Sequence, residues 1–328
     1  MKALVWHGPR QMAVEDAPEP APGPGEVVVK SEACGICGSE VEGYLGLMPN
    51  RVPPLVMGHE FAGVVVSLGD GVDRRWAGKR VAVNPIVGCG TCRYCNAGRR
   101  NVCPHRKLVG VASPGGFATE TAVPERCLFE MPAGLDPRLG ALAEPLANGV
   151  HAIRKGAPDG AERAVVIGAG TIGLACMQAA VLHGIREVTV IERHPARRDH
   201  ALRLGAHAAL ESAGGLAPGA DLVIDAAGTD GTRRLALDLL GPAATAIFIG
   251  MHSDETALPW RRVVRGNHTI RGVFAYEDRD FQAALDLLAA GRAGIGELKA
   301  VLPLEAGPAA FAELAGGPTA DIKVFLGA

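Results

Sequence analysis

Residues 164–191 read AVVIGAGTIGLACMQAAVLHGIREVTVI, and this stretch decides the fold. An apolar run at 164–167 enters Gly168-Ala169-Gly170-Thr171-Ile172-Gly173. A segment of helical pattern follows at 172–183, then a second apolar run at 187–191. Strand, glycine turn, helix and strand in that order make the βαβ unit of a parallel sheet. The turn spells GxGxxG. Its first glycine permits the tight turn, its second lets backbone approach a pyrophosphate, and its third packs helix on strand. The helix N-terminus offers unpaired N–H donors to the same phosphates. Glu192 ends the second strand, where an acid accepts hydrogen bonds from ribose hydroxyls and repels a 2′-phosphate, which favours NAD over NADP. Arg193 and Arg197 point the other way, because either could pair with that phosphate. Arg197 could equally cover the adenine face. A glycine turn without a ligand is the bland alternative.

Further strand-like runs at 221–225, 245–250 and 269–274 extend the sheet to about six parallel strands. Upstream, short β-rich runs at 26–30, 61–68 and 80–83 alternate with Pro and Gly clusters, the pattern of an irregular β domain. After Tyr276 a helix at 281–290 and a strand at 323–326 have no sheet of their own, so they are expected to return to the first domain.

The 328 residues are 48% hydrophobic and 21% charged, with 33 basic against 35 acidic side chains, which excludes disordered, collagenous and coiled-coil classes. A net charge of −2 gives no field for nucleic acid or an anionic membrane. With no long apolar span and no signal-peptide pattern after Met1, the chain reads as cytoplasmic. Thiols stay reduced there, so the eight cysteines are ligands, nucleophiles or small core residues rather than disulfide partners.

Cys89, Cys92, Cys95 and Cys103 form C-x2-C-x2-C-x7-C in a glycine-rich loop. Four thiolates so spaced close a tetrahedron around Zn²⁺ and leave no open position, which makes a structural site. An iron–sulfur cluster competes, although the last spacing is longer than a ferredoxin run has. Four unliganded thiols are the remaining alternative. A second group, Cys37 with His59-Glu60 and then Glu144, offers mixed S, N and O ligands, and Cys37, His59 and a carboxylate can supply the three that a catalytic zinc with one position open to substrate requires. Each taken alone has a bland reading: a core thiol, a surface His–Glu pair, and a helix cap before Pro145. Cys34 and Cys176 acquire no role.

The ordered set CGICGS (34–39), GHEFAG (58–63), the four-cysteine loop, GGFA (115–118), EPLA (144–147) and GAGTIG (168–173) resembles the zinc-dependent medium-chain dehydrogenases over essentially the whole chain. Glu144-Pro145-Leu146 with Gly149-Val150-His151 is similar to the branch of sorbitol, galactitol-phosphate and threonine dehydrogenases. The resemblance implies an α/β protein. A GroES-like irregular β catalytic domain at 1–147, completed by 277–328, would flank a Rossmann domain with a doubly wound parallel sheet at 148–276. It implies one catalytic zinc held by Cys37, His59, Glu60 and Glu144, the last two exchanging, and one structural zinc on the four cysteines. Ser39 matches the hydroxyl that passes the alcohol proton toward the cofactor ribose. Many relatives carry His three residues after it, where this chain has Glu42, and their usual Asp is Glu40 here, so Glu42 is a candidate proton acceptor. Gly168, Gly170, Thr171, Ile172, Gly173, Glu192 and Arg197 match cofactor-binding positions, as do Ile249, Gly250, Met251, Val273 and Phe274 near the nicotinamide.

The expected activity is hydride transfer between a secondary alcohol, such as a polyol, sugar alcohol or amino alcohol, and NAD⁺. An NADPH-dependent zinc ketone or aldehyde reductase and a non-catalytic NAD-binding sensor are the alternatives. The expected partners are a small alcohol or ketone and further copies of the chain, as homodimer or homotetramer, with neither nucleic acid nor membrane.

Overall fold

The computed structural model describes residues 1–317 and 319–327. Pro318 and Ala328, both inside the expected C-terminal return, lie outside the described residues. Two compact units emerge, Met1–Glu144 with Glu277–Ala328, and Pro145–Tyr276.

In the second unit, six strands form one parallel sheet. Its spatial order is Ala208–Leu210, Glu187–Ile191, Arg163–Ile167, Ala220–Asp225, Leu240–Phe248 and Thr269–Gly272. The chain winds outward in both directions from Arg163–Ile167, so the order switches between that strand and Ala220–Asp225, the place where such sheets bind dinucleotides. Val165, Ile167, Val223, Leu237 and Ala246 pack one layer of its core. The short strand Ala208–Leu210 had no counterpart in the expected runs. It is only half-buried, and Ala-Ala-Leu carries no strand periodicity to read.

In the first unit, a seven-stranded sheet runs Leu128–Glu130, Arg80–Val83, Glu60–Leu68, Glu26–Gly35, Phe325–Gly327 and Val301–Pro303, and Glu120–Pro124 also pairs with Glu26–Gly35. Its core joins Val27, Val29, Phe61, Val65, Phe117 and Phe311. The C-terminal strand pairs antiparallel with Glu26–Gly35, setting Leu326 opposite Cys34 and Phe325 opposite Gly35. The N–H of Ile36 donates to the carbonyl of Val324 at 2.9 Å. The end of the chain is thereby stitched to the segment that leads into Cys37.

Helix Pro137–Gly156 runs through Pro145. Glu144 therefore lies inside a helix, not at its cap. The proline removes one backbone donor from the helix interior, a cost usually near 3 kcal/mol, which the burial of Leu142, Ala143, Leu146 and Ala147 opposes.

Candidate active site and metal centres

The glycine turn in the second unit follows its strand directly. Gly168 has φ of 96°, which favours glycine, and a Cβ on Gly173 would stand 1.9 Å from the Gly168 carbonyl oxygen. A Cβ on Gly170 would meet only open space, so backbone can be approached there at the start of helix Thr171–His183. Glu192 is held by backbone: Oε2 accepts from Ala169 N–H at 2.8 Å and Oε1 from His194 N–H at 2.8 Å. A carboxylate has about four lone-pair sites, so capacity for ribose hydroxyls remains. Ile249 and Gly250 follow Leu240–Phe248, and both their N–H groups donate to the Asp225 carbonyl, at 3.1 and 3.0 Å. Val273 and Phe274 follow Thr269–Gly272. Gly168, Gly170, Glu192, Ile249, Gly250, Met251, Val273 and Phe274 thus lie just beyond the carboxyl ends of strands, Thr171, Ile172 and Gly173 open the helix after the glycine turn, and Arg197 lies on helix Pro195–Arg203.

In the first unit, Cys37, His59 and Glu60 bring one ligand atom each to within 4.8 Å of one another. Cys37 precedes helix Gly38–Tyr44, and His59 and Glu60 enter strand Glu60–Leu68. Glu40, fully buried on that helix, organises the set. Its Oε1 accepts from Gly58 N–H at 2.8 Å, His59 N–H at 3.0 Å and His59 Nδ1 at 2.8 Å, while Oε2 accepts from Cys37 N–H at 3.0 Å. Burial pushes the Glu40 carboxyl up. The charge and hydrogen bond of His59, then Arg51 and the Cys37 N–H, outweigh it and hold the group below the usual carboxylate range. An ionised carboxylate only accepts, so Nδ1 carries the imidazole proton and Nε2 is the atom left for a metal.

Glu60 is paired on one side only. Its Oε2 accepts from Lys323 Nζ at 2.6 Å, both side chains being 1% exposed, and Nζ also donates to Ile36 O at 3.1 Å. Burial would lower the Lys323 amine, but the charge of Glu60, reinforced by Cys37, raises it above the ordinary value. A Cβ on Gly35 would lie 2.6 Å from Glu60 Oε2, so glycine makes room for the pair. The other oxygen, Oε1, is buried with no hydrogen-bond partner. An orphaned carboxylate oxygen beside a thiol and an oriented imidazole fits a zinc ion. Glu144 is buried but outside this set of close ligand atoms. Ser39 and Glu42 lie half-buried on helix Gly38–Tyr44. Sequence reasoning noted Glu40 only as a replacement for Asp and passed over Lys323. Glu40 stands three residues after Cys37 and could have been found as a partner for His59, whereas nothing local links Lys323 to Glu60.

The four loop cysteines also converge within 4.8 Å. Cys89 Sγ is 4.0 Å from Cys95 Sγ, and Cys92 Sγ is 3.8 Å from Cys103 Sγ. A ZnS₄ tetrahedron with bonds of about 2.3 Å has edges of about 3.8 Å, so the set fits zinc. Hydrogen bonds from the Thr91 backbone and hydroxyl bring the Cys89 thiol down to about 5, whereas burial pushes Cys95 of the same set up to about 11, so the fit to zinc rests on the convergence of the four sulfurs. Cys127 and Cys176 are different: burial pushes them up to about 11 and about 12, and they are inert core thiols.

A parallel sheet with a glycine turn in one unit and an oriented Cys-His-Glu set in the other define a nicotinamide-dependent dehydrogenase of the zinc type. The chain belongs to the zinc-dependent medium-chain dehydrogenases: residues 23–133 match the alcohol dehydrogenase GroES-like domain and residues 171–290 the zinc-binding dehydrogenase domain. It is 32% identical to a 2-dehydro-3-deoxy-L-galactonate 5-dehydrogenase of Pseudoalteromonas atlantica, over 97% of this chain and 96% of the relative. It is 33% identical to a sorbitol dehydrogenase of Halalkalibacterium halodurans, over 88% of each. Among solved structures, an alcohol dehydrogenase, RspB, of Escherichia coli complexed with NADH superposes with a TM-score of 0.92 at 28% identity, covering 100% of this chain and 99% of that one. The protein is an oxidoreductase, and zinc and a nicotinamide dinucleotide are its cofactors. No described helix is long and apolar enough to cross a membrane.

Proposed function

We propose that the enzyme oxidises a secondary alcohol of a polyhydroxylated substrate, a polyol, sugar alcohol, sugar acid or amino alcohol, and passes the hydride to NAD⁺. The observation that carries this reading is the buried trio of Cys37, His59 and Glu60, with His59 oriented by Glu40 and Glu60 Oε1 unpartnered. The names of the relatives, a galactonate derivative in one and sorbitol in another, supply the substrate class.

In this reading Cys37, His59 and Glu60 hold the catalytic zinc, with Glu144 exchanging for Glu60, and Cys89, Cys92, Cys95 and Cys103 hold the structural one. When bound, zinc supplies a Lewis acid that lowers the pKa of an alcohol, and NAD⁺ supplies the hydride acceptor. The chain's own part is position and proton transfer. Ser39 Oγ takes the substrate hydroxyl proton while its own hydrogen passes outward, and Glu42 is the nearby acid able to receive it. Gly168 to Gly173 cradle the pyrophosphate, Glu192 and Arg197 address the adenosine end, and residues 249–251 and 273–274 flank the nicotinamide. The catalytic domain comprises 1–147 with 277–328, and the Rossmann domain 148–276.

A second reading, reduction of a ketone or aldehyde with NADPH, draws support from Arg193, which is exposed beside a Glu192 whose two oxygens already accept backbone N–H groups. The chain is further proposed to be a cytoplasmic homodimer or homotetramer without nucleic acid. All eight cysteines are free thiols, and strand Thr269–Gly272 lies at the sheet edge after a helix that exposes Trp260 and Val264.

The test is NAD⁺ and NADP⁺ reduction over sorbitol, galactitol 1-phosphate, L-galactonate, threonine and 2,3-butanediol, with and without chelator. Chelator-sensitive turnover of a polyol with NAD⁺ is expected. Faster NADPH-driven reduction of the matching ketones would establish the second reading instead.

A further inference from the structure

Arg51 is 5% exposed, unusual for a guanidinium without a carboxylate in direct contact. Its Nη1 donates to Gly110 O at 3.1 Å and its Nη2 to Ser39 Oγ at 3.4 Å, and Nε is buried without a partner. The chain reserves space for it. A Cβ on Gly43 would stand 2.4 Å from Arg51 Cδ and 2.7 Å from Nε, so any larger residue would move the side chain. Its backbone N–H is tied to Met48 O at 3.1 Å, and its charge reaches Glu40, the carboxylate that orients His59.

We infer that Arg51 is a positioning residue for the Ser39 hydroxyl: it fixes Oγ as an acceptor and so sets the direction in which the substrate proton leaves. This rests on the proton-transfer role proposed above for Ser39. Guanidinium has five donors and no acceptor, so Ser39 cannot spend its hydrogen on Arg51. The Arg51 N–H takes one of the two lone pairs of Oγ. The other lone pair faces the incoming hydroxyl proton, and the serine hydrogen is left to the outgoing side. As the substrate proton bonds to Oγ, the Ser39 O–H bond breaks and its hydrogen passes to the Glu42 carboxylate, the acceptor proposed above, so serine is neutral before and after. Between those states the fixed cation opposes accumulation of positive charge at Oγ, which favours concerted passage over a protonated serine. Burial keeps the donor in a low-dielectric place where its orientation costs no rearrangement during the reaction.

The experiment is a double-mutant cycle on the zinc-loaded enzyme with NAD⁺ and the fastest alcohol of the panel above, comparing Arg51→Met, Ser39→Ala and both. Zinc per chain and NADH affinity by fluorescence are measured on every variant. Arg51→Met is expected to lower kcat about tenfold, the scale of one charge-assisted hydrogen bond at a transition state, with zinc content and NADH affinity unchanged. In the Ser39→Ala background the same change should cost less than about twofold. Arg51→Lys, which keeps a donor, should recover part of the loss. Gly43→Ala, which displaces Arg51 without removing it, should reproduce the loss and its dependence on Ser39, and it serves if Arg51→Met fails to fold.

Additive losses in both backgrounds, or loss of zinc or NADH binding along with kcat, would overturn the inference and leave Arg51 a packing residue. If Ser39→Ala turns over as fast as the parent, the proposed role of Ser39 itself fails. A parent inert on every alcohol defeats the proposed function and this inference with it.

Discussion

Glu40 Oε1 lies 2.8 Å from His59 Nδ1 and spends the rest of its accepting capacity on the two backbone N–H groups of the same turn, those of Gly58 and His59. One buried oxygen thus sets both the path of the chain and the ring that the chain presents. Partners of this kind contribute about 10- to 100-fold to metal affinity. Glu40→Gln keeps an acceptor oxygen but loses the charge. It is expected to weaken zinc retention at the Cys37 centre by that factor, read as zinc per chain after dialysis against graded chelator, with the far-ultraviolet spectrum unchanged.

Lys323 and Glu60 neutralise each other in a place where neither meets water. Removing one partner of such a pair typically costs 3–5 kcal/mol because the other charge stays buried. Lys323→Met should therefore destabilise the zinc-free protein by about that much in urea unfolding. Zinc can neutralise the same carboxylate, so the penalty should shrink in the zinc-loaded protein. Equal penalties in both forms would contradict the proposed ligand role of Glu60.

Cys92→Ser removes one sulfur from the four-cysteine set. It should take one zinc per chain with it and lower the melting temperature by roughly 5–10 °C, the shift that a few kcal/mol produce in a unit of this size. The Cys37 centre should keep its own zinc. Retention of both ions would contradict the assignment.

Glu192→Ala removes the carboxylate held by Ala169 and His194. The ratio of kcat/KM for NAD⁺ to that for NADP⁺ should fall about tenfold or more, because an anion that discourages the 2′-phosphate is gone. An unchanged ratio would move cofactor choice away from this residue.

Asp136 is held below the usual carboxylate range, first by its hydrogen bond to Arg138 at 2.5 Å, against a smaller effect of burial. Because the folded-state value is depressed, the stabilisation is present above the unfolded value of about 3.9 and disappears as pH falls through the lower folded value. Arg138 also donates to the carbonyls of Leu298 and Lys299, at 3.1 and 2.8 Å. The pair is partly exposed, so Asp136→Asn should cost no more than about 1 kcal/mol at pH 7. Urea midpoints of parent and variant should draw together as pH falls below the unfolded value and through the lower folded one, and a gap that stayed constant from pH 7 to the acid end of that range would argue against the carboxylate.

The strand, turn and helix of 164–183 were legible because each signal is local: apolar run, spaced glycines and helical periodicity follow one another along the chain. The four loop cysteines were legible for the same reason. Lys323 and Arg51 were not. Lys323 reads as one more polar residue before a short strand, and its partner is 263 positions away. Arg51 stands among prolines, a setting that normally means a solvated loop, and only the folded chain encloses it against Gly43 and Gly110. Glu192 was legible as an acid at a strand end, but not its hold on Ala169, since main-chain donors leave no trace in residue identity. The bland alternative for Glu144, a helix cap, does not hold because the helix runs on through Pro145, where proline is more often a boundary than an interior residue.

The position of Lys323 also bears on biosynthesis. Cys37, His59 and Glu60 are all made well before the amine that compensates Glu60, which follows that residue by 263 positions. The strand that fixes its place, Phe325–Gly327, follows it. Until then a nascent chain holding those three side chains cannot enclose them without stranding a negative charge. A chain cut ahead of Lys323 would leave Glu60 without its compensating amine and this pocket open to water, so enclosure of the ligand set depends on a residue remote from it in sequence.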